Sequence, residues 1–138
     1  MQTFQLILKN QIKELEKLAI NVEELSVKWN IPTEIVMEIN LVLEELFTNV
    51  VFYAYDDKME HNIILDFVLI DEHHLKICLE DDGKPFNLLE KNMNSTLDKS
   101  IEDRQIGGLG IHFVRELMNS VDYKRTVDKN IVILMKNF

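Results

Sequence analysis

The stretch HNIILDFVLIDEHHLKICLE, His61 to Glu80, decides the architecture. His61 to Ile70 and His74 to Glu80 are rich in β-branched and large apolar residues, and Asp71-Glu72-His73 between them is turn chemistry, so the stretch predicts a β-hairpin. Upstream, Thr3 to Lys9 reads as a strand with Phe4, Leu6 and Leu8 on one face. Gln11 to Trp29 carries a helical stripe of Ile12, Leu15, Leu18, Ala19, Val22, Leu25 and Trp29. Asn30-Ile31-Pro32 breaks it, and Pro32 and Thr33 open a second helix running to about Tyr55. The stripe of that helix is Ile35, Ile39, Val42, Leu43, Leu46 and Val50. Downstream, a third helix is expected after Gly110, with Ile111, Val114 and Met118 facing inward. A last hairpin follows, with arms Val121 to Val127 and Ile131 to Met135 about Asp128-Lys129-Asn130. Strands in hairpins with helices segregated between them predict an α+β fold. The expected form is a two-layer α/β sandwich, its mixed, mostly antiparallel sheet covered by helices on one face. The other face is left to polar residues or a partner.

At 138 residues and 46% apolar, the chain is expected to be a single domain over 1–138 with a core sufficient without staples. Fifteen basic against 24 acidic residues give a net charge of −9, unsuited to non-specific binding of nucleic acid or anionic membrane. One nucleotide in a locally basic pocket is not excluded by that balance. A lone cysteine, Cys78, excludes a disulfide framework and fits a reducing compartment. It is expected to point inward from its strand. Met1 to Asn10 lacks a basic segment followed by an apolar run, and no apolar stretch approaches the ~20 residues of a membrane span. The expected location is cytoplasmic. His61, His73, His74 and His112 have no metal-ligand spacing.

Four features stand out for chemistry. Glu45 and Asn49 lie one turn apart on the edge of the second helix's apolar stripe, where they either face a cavity together or border solvent. Leu79-Glu80-Asp81-Asp82-Gly83-Lys84-Pro85-Phe86 ends a strand in acids. A carboxylate there can accept from the exocyclic amine of a base, and glycine lets backbone approach a flat ligand; Asp-Gly is also ordinary turn sequence. Ile106-Gly107-Gly108-Leu109-Gly110-Ile111 gathers three of the chain's four glycines at a helix start. Free backbone N–H groups there suit phosphate, or the glycines only permit the backbone angles of the helix entry. Neither Walker A nor dinucleotide spacing is present. The polar connection of residues 87–106, with Lys91, Ser95, Thr96, Lys99 and Arg104, is long enough for a lid, an unstructured loop or one with a short helix.

The order of these pieces resembles the GHKL ATP-binding superfamily. The likeness extends over nearly the whole chain, and within that superfamily the chain is similar to stand-alone bacterial anti-sigma-factor serine/threonine kinases. The matching segments are Glu44-Glu45-Leu46-Phe47-Thr48-Asn49-Val50, Glu80 to Phe86, and Gly107-Gly108-Leu109-Gly110-Ile111-His112-Phe113-Val114-Arg115. The resemblance implies ATP and Mg²⁺ as ligands, with Asn49 giving its side-chain oxygen to the metal and Glu45 acting as general base. It implies Asp81 at the adenine amine, Gly83 beside the base, and Gly107, Gly108, Leu109 and Gly110 around the phosphates under a lid that carries Arg104. The implied activity is transfer of phosphate to Ser or Thr of a small anti-sigma-factor antagonist. A sigma factor and a second copy of the chain are further implied partners; nucleic acid and membrane are not. The alternative is a non-catalytic, nucleotide-gated module that sequesters a sigma factor or another regulator. The chain departs from the family at Tyr53, where many relatives carry histidine, and at Asn119, where aspartate is frequent. Lys129-Asn130-Ile131 stands in the region of a family Gly-Thr pair whose threonine helps at the adenine.

Overall fold

The computed structural model describes residues 1–87, 89 and 108–138. Five strands form one sheet: β1 (Gln2–Lys9), β2 (Asn62–Asp71), β3 (His74–Asp81), β4 (Ser120–Arg125) and β5 (Asn130–Asn137), in the order β1-β2-β3-β5-β4. All four pairings are antiparallel, so the sheet is not mixed in the described residues. Among the described residues three α-helices accompany it: α1 (Leu15–Lys28), α2 (Thr33–Tyr53) and α3 (Gly108–Leu117). A 3₁₀ turn, Ile12–Glu14, precedes α1, so the first helix starts later than its apolar spacing suggests, and Ile12 is exposed. Asn30, at φ 55°, ends α1 in the left-handed conformation that asparagine tolerates.

The layers follow from strand alternation. Leu6 and Leu8 of β1, Ile63, Leu65 and Phe67 of β2, Leu75, Ile77 and Leu79 of β3, and Val132 and Leu134 of β5 all point to one face. There they meet Leu18, Val22 and Leu25 of α1, Ile39, Leu43, Leu46, Phe47 and Val50 of α2, and Ile111, Val114 and Met118 of α3. Lys136 fastens the layers at one end, pairing with Glu38 of α2 at 2.5 Å and donating to the Leu117 carbonyl at the end of α3.

Cys78 does not enter this core. Ile77 and Leu79 claim the inward positions of β3, and the pleat turns Cys78 to the opposite face, where it is half-buried. Its register partners are Asp66 and Ile133. That face, which no described helix covers, joins Ile64, Ile131, Ile133 and Met135 with Asp66, Lys76 and Glu80.

Phe47 is fully buried at the centre of α2. Phe47→Ala is expected to lower unfolding free energy by about 3–5 kcal/mol. Val27→Ala, at a position 76% exposed, should change it by no more than about 0.5 kcal/mol. Urea unfolding of both variants checks this; equal midpoints would contradict the assignment of Phe47 to the core.

Candidate functional site

The C-terminal half of α2 and the end of β3 are built against each other. On α2, Asn49 is 3% exposed, and its amide nitrogen donates to Glu45 Oε1 at 2.9 Å. One helical turn separates them, which puts both side chains on the one edge of α2 that their spacing implies. Because the nitrogen is engaged with Glu45, the Asn49 oxygen is the donor atom left for a hard cation. That chemistry fits Mg²⁺, which takes few protein ligands beside phosphate oxygens and water. No cluster of three His, Cys, Asp or Glu side chains among the described residues forms a metal cage of its own. Glu45 also borders a groove of about 400 Å³ whose other walls are Leu41, Glu44, Thr48 and Phe113.

Helix α2 ends at Tyr53, earlier than the expected Tyr55, and Ala54 caps it. The turn after β3 docks on that cap. The Lys84 amide donates to the Ala54 carbonyl at 2.9 Å. Gly83 lies so close that a Cβ there would fall 2.4 Å from the Ala54 oxygen and 2.7 Å from its Cβ. Glycine is therefore required for close approach of the two segments. Tyr53 and Phe86 lie side by side, ring centroids 5.9 Å apart.

Asp81 is buried, with 4% of its surface exposed. Its Oδ1 accepts from the Gly83 amide and from Asn130 Nδ2, both at 2.9 Å. Burial pushes its carboxyl above the usual range, while the Asn130 and Gly83 hydrogen bonds and the Arg125 charge pull the other way. Asn130, only 2% exposed, also donates to the Lys84 carbonyl at 2.8 Å and accepts from the Phe86 amide at 3.1 Å and Tyr123 Oη at 2.5 Å. Arg125 donates to the Gly83 carbonyl at 2.8 Å. The last hairpin thus brings Tyr123, Arg125 and Asn130 to the strand end. Sequence reasoning took Asn130 as a turn residue; it begins β5 directly opposite Asp81.

A second clasp holds the loop after α2 to the same turn. His61 places Nε2 2.7 Å from Asp57 Oδ1 and Nδ1 3.2 Å from Asp82 Oδ1, its ring stacked on Tyr55 at 4.1 Å. Lys84 pairs with Asp56 at 2.9 Å. The hydrogen bond to Asp57 raises the His61 pKa from its ordinary value, and the same contact lowers that of Asp57.

The structure brings Glu45 and Asn49 together on α2, and Asp81 and Gly83 together at the α2 cap. Helix α3 packs on α2 but begins at Gly108, so Gly108, Leu109 and Gly110 form its first turn rather than preceding it. Arg104 and Gly107 lie outside the described residues, as does the expected lid of residues 87–106 apart from Asn87 and Leu89. Of those two, Asn87 Oδ1 accepts from the Leu89 amide at 2.9 Å, and the Leu89 carbonyl accepts from Arg115 of α3 at 3.2 Å.

A family model described as a histidine kinase-like ATPase domain matches residues 8–136. Among curated proteins, the serine-protein kinase RsbW of Halalkalibacterium halodurans is 31% identical over 73% of this chain and 61% of its own length. RsbW of Oceanobacillus iheyensis is 27% identical over 76% of this chain and 66% of its own. The chain thus spans under two thirds of the length of both. Among solved structures, the histidine kinase domain of a blue-light activated histidine kinase from Erythrobacter litoralis aligns with TM-score 0.58 at 17% identity. That alignment covers 91% of this chain and 60% of the other. The SiaB-SiaC complex from Pseudomonas aeruginosa aligns with TM-score 0.56 at 11% identity, covering 96% and 89%. The structural likenesses establish the shared fold.

Two outcomes test this geometry. Gly83→Ala should cost about 1–3 kcal/mol, because the added methyl meets backbone of Ala54; an unchanged melting temperature would contradict the close docking. The His61 contribution should be fully present below the unfolded pKa of about 6.5 and be lost as pH rises through the higher folded value. The stability difference between the parent and His61→Asn is therefore expected to shrink as pH rises above about 6.5 in urea titrations. A difference that grew over that range would contradict the clasp.

Proposed function

This chain belongs to the histidine kinase-like ATPase family, and on that premise we propose that it binds Mg²⁺-ATP and acts as an anti-sigma-factor-like serine/threonine kinase. Its acceptor in this reading is a Ser or Thr of a small anti-sigma-factor antagonist, and its output is regulation of transcription by partner switching. The observation that carries the reading is the Glu45–Asn49 pair on α2 together with the buried Asp81 and the Gly83 turn that docks on the end of the same helix.

Each residue has a role in this reading. Asp81 accepts a hydrogen bond from the adenine amine, and Gly83, docked on the α2 cap, holds the turn that carries Asp81 in place. Backbone N–H groups of Gly108, Leu109 and Gly110 in the first turn of α3 hold phosphates, where the helix dipole favours negative charge. Gly107 and Arg104 extend that phosphate contact. Asn49 holds Mg²⁺ through its amide oxygen, and the bound ion neutralises charge on the phosphates. Glu45 keeps Oε1 on Asn49 and turns its remaining oxygen to the acceptor hydroxyl. The hydroxyl proton passes to that carboxylate as the new O–P bond forms, the β–γ bridging bond breaks, and ADP leaves.

A second copy of the chain is placed at the sheet face that the described helices leave open, where Ile131 and Ile133 are neighbours on β5 and Glu80 stands between Ile131 and Ile64. A sigma factor completes the partner set. Nucleic acid and anionic membrane are left out of it on the net charge of −9. The reading places the protein in the cytoplasm.

Calorimetric titration with Mg²⁺-ATP tests the site. Asn49→Ala and Asp81→Asn should each weaken binding about 10-fold or more, or about 1.4 kcal/mol. Absence of binding by the parent at millimolar ATP would refute the nucleotide reading. Glu45→Ala should retain ATP affinity and lose phosphoryl transfer to a purified anti-sigma-factor antagonist. A variant that transfers at the parent rate would refute the role of Glu45. Tight binding of ATP and antagonist without any transfer by the parent would favour the nucleotide-gated binding module.

A further inference from the structure

Asn130 is saturated. Its two amide hydrogens go to Asp81 Oδ1 and the Lys84 carbonyl, and its oxygen accepts from the Phe86 amide and the Tyr123 hydroxyl. An amide has two donors and two acceptor sites, and all four are matched here. Exchanging its nitrogen and oxygen would set donor against donor at Phe86 and acceptor against acceptor at Lys84. The Asn130 orientation is therefore determined by its surroundings. One consequence falls on Asp81. Its Oδ1 is occupied twice, by Asn130 and by Gly83, whereas its Oδ2 accepts no hydrogen bond from the described residues.

We propose that Asn130, held by Tyr123, is a positioning residue that keeps Asp81 an ionised, single-oxygen acceptor and so makes the site select 6-amino over 6-oxo purine nucleotides. This deepens the function proposed above and rests on its placement of the base at Asp81. A carboxylate can only accept a hydrogen bond, so it matches the exocyclic amine of adenine and repels the 6-oxo group of hypoxanthine or guanine. A protonated carboxyl can donate and would accommodate the oxo group. Burial of Asp81 and the neighbouring Asp82 charge favour the protonated form, and the Asn130 hydrogen bond is the first of the contacts that oppose it, ahead of the Gly83 amide and the Arg125 charge. Asn130 need not touch the nucleotide for this. It acts on the charge and orientation of the side chain that does.

The test compares dissociation constants for Mg²⁺-ATP and Mg²⁺-ITP, which share one purine frame and differ in the 6-substituent, amino or oxo, and in whether N1 carries a hydrogen. It uses the parent, Asn130→Leu, Asn130→Thr and Tyr123→Phe at several pH values. The parent should prefer ATP by at least about 10-fold, since a site built around one hydrogen bond rejects a partner that cannot make it. Asn130→Leu should cut that preference about fivefold or more, most strongly at the acid end, where Asp81 protonates most readily. Asn130→Thr returns one hydroxyl donor and should restore much of it, and Tyr123→Phe should lower it in the same direction by a smaller factor. If Asn130→Leu does not fold, the Asn130→Thr and Tyr123→Phe ratios decide. Loss of affinity for both nucleotides in proportion, with the ratio and its pH profile unchanged, would make Asn130 merely structural and overturn the proposal. Failure of the parent to bind either nucleotide would instead overturn the nucleotide reading itself.

Discussion

The buried carboxylate of Asp81 sets the terms for this end of the molecule. A carboxylate taken out of water is costly unless hydrogen bonds replace its hydration. Here the replacements come from far apart in the chain: the Gly83 amide two residues on, and the Asn130 amide on the last strand. Asn130 can serve only if β5 lies beside β3 with Asp81 opposite it, which is the observed register. Gly83 can serve only if its turn lies flat on the α2 cap, which a side chain at position 83 would prevent. One buried charge thereby joins β3, β5 and α2 at a single point.

That junction gives the proposed site its rigidity. Glu45 and Asn49 are fixed by the helix and by their own hydrogen bond, and the same helix ends in the Ala54 carbonyl that receives the Lys84 amide. The Glu45–Asn49 edge and the Asp81–Gly83 turn are therefore parts of one framework. The His61 clasp and the Lys84–Asp56 pair strengthen it from outside, where solvent makes each contact individually weak.

Most of the fold was legible because it is written in local periodicity. The stripe Ile39, Val42, Leu43, Leu46 and Val50 predicted α2 and its buried face, and the alternation through His61–Glu80 predicted the hairpin. The Glu45–Asn49 pair was legible for the same reason, being one helical turn. Cys78 was misplaced because residue type was weighed above parity: Ile77 and Leu79 on either side already claim the core. The start of α3 was placed late because glycine is a poor helix former, yet Gly108 and Gly110 are helical where α3 packs on α2. The antiparallel character of every pairing depends on β5 inserting between β3 and β4, which no local pattern encodes. Asn130 was missed on similar grounds. Asp-Lys-Asn is ordinary turn sequence, and its partner Asp81 lies 49 residues away. The signal that could have found it is strand register: with β5 set against β3, a polar residue at an inward position opposite a buried acid is its expected partner.

The most direct test of this account is amide hydrogen exchange at Gly83 and Lys84, read residue by residue by NMR. Their N–H groups are the two that bind Asp81 and Ala54. If the junction is preformed, both amides exchange slowly in the free protein, at rates near those of the β3 core, and slow further when Mg²⁺-ATP is added. Exchange as fast as in an open turn, unchanged by Mg²⁺-ATP, would contradict it.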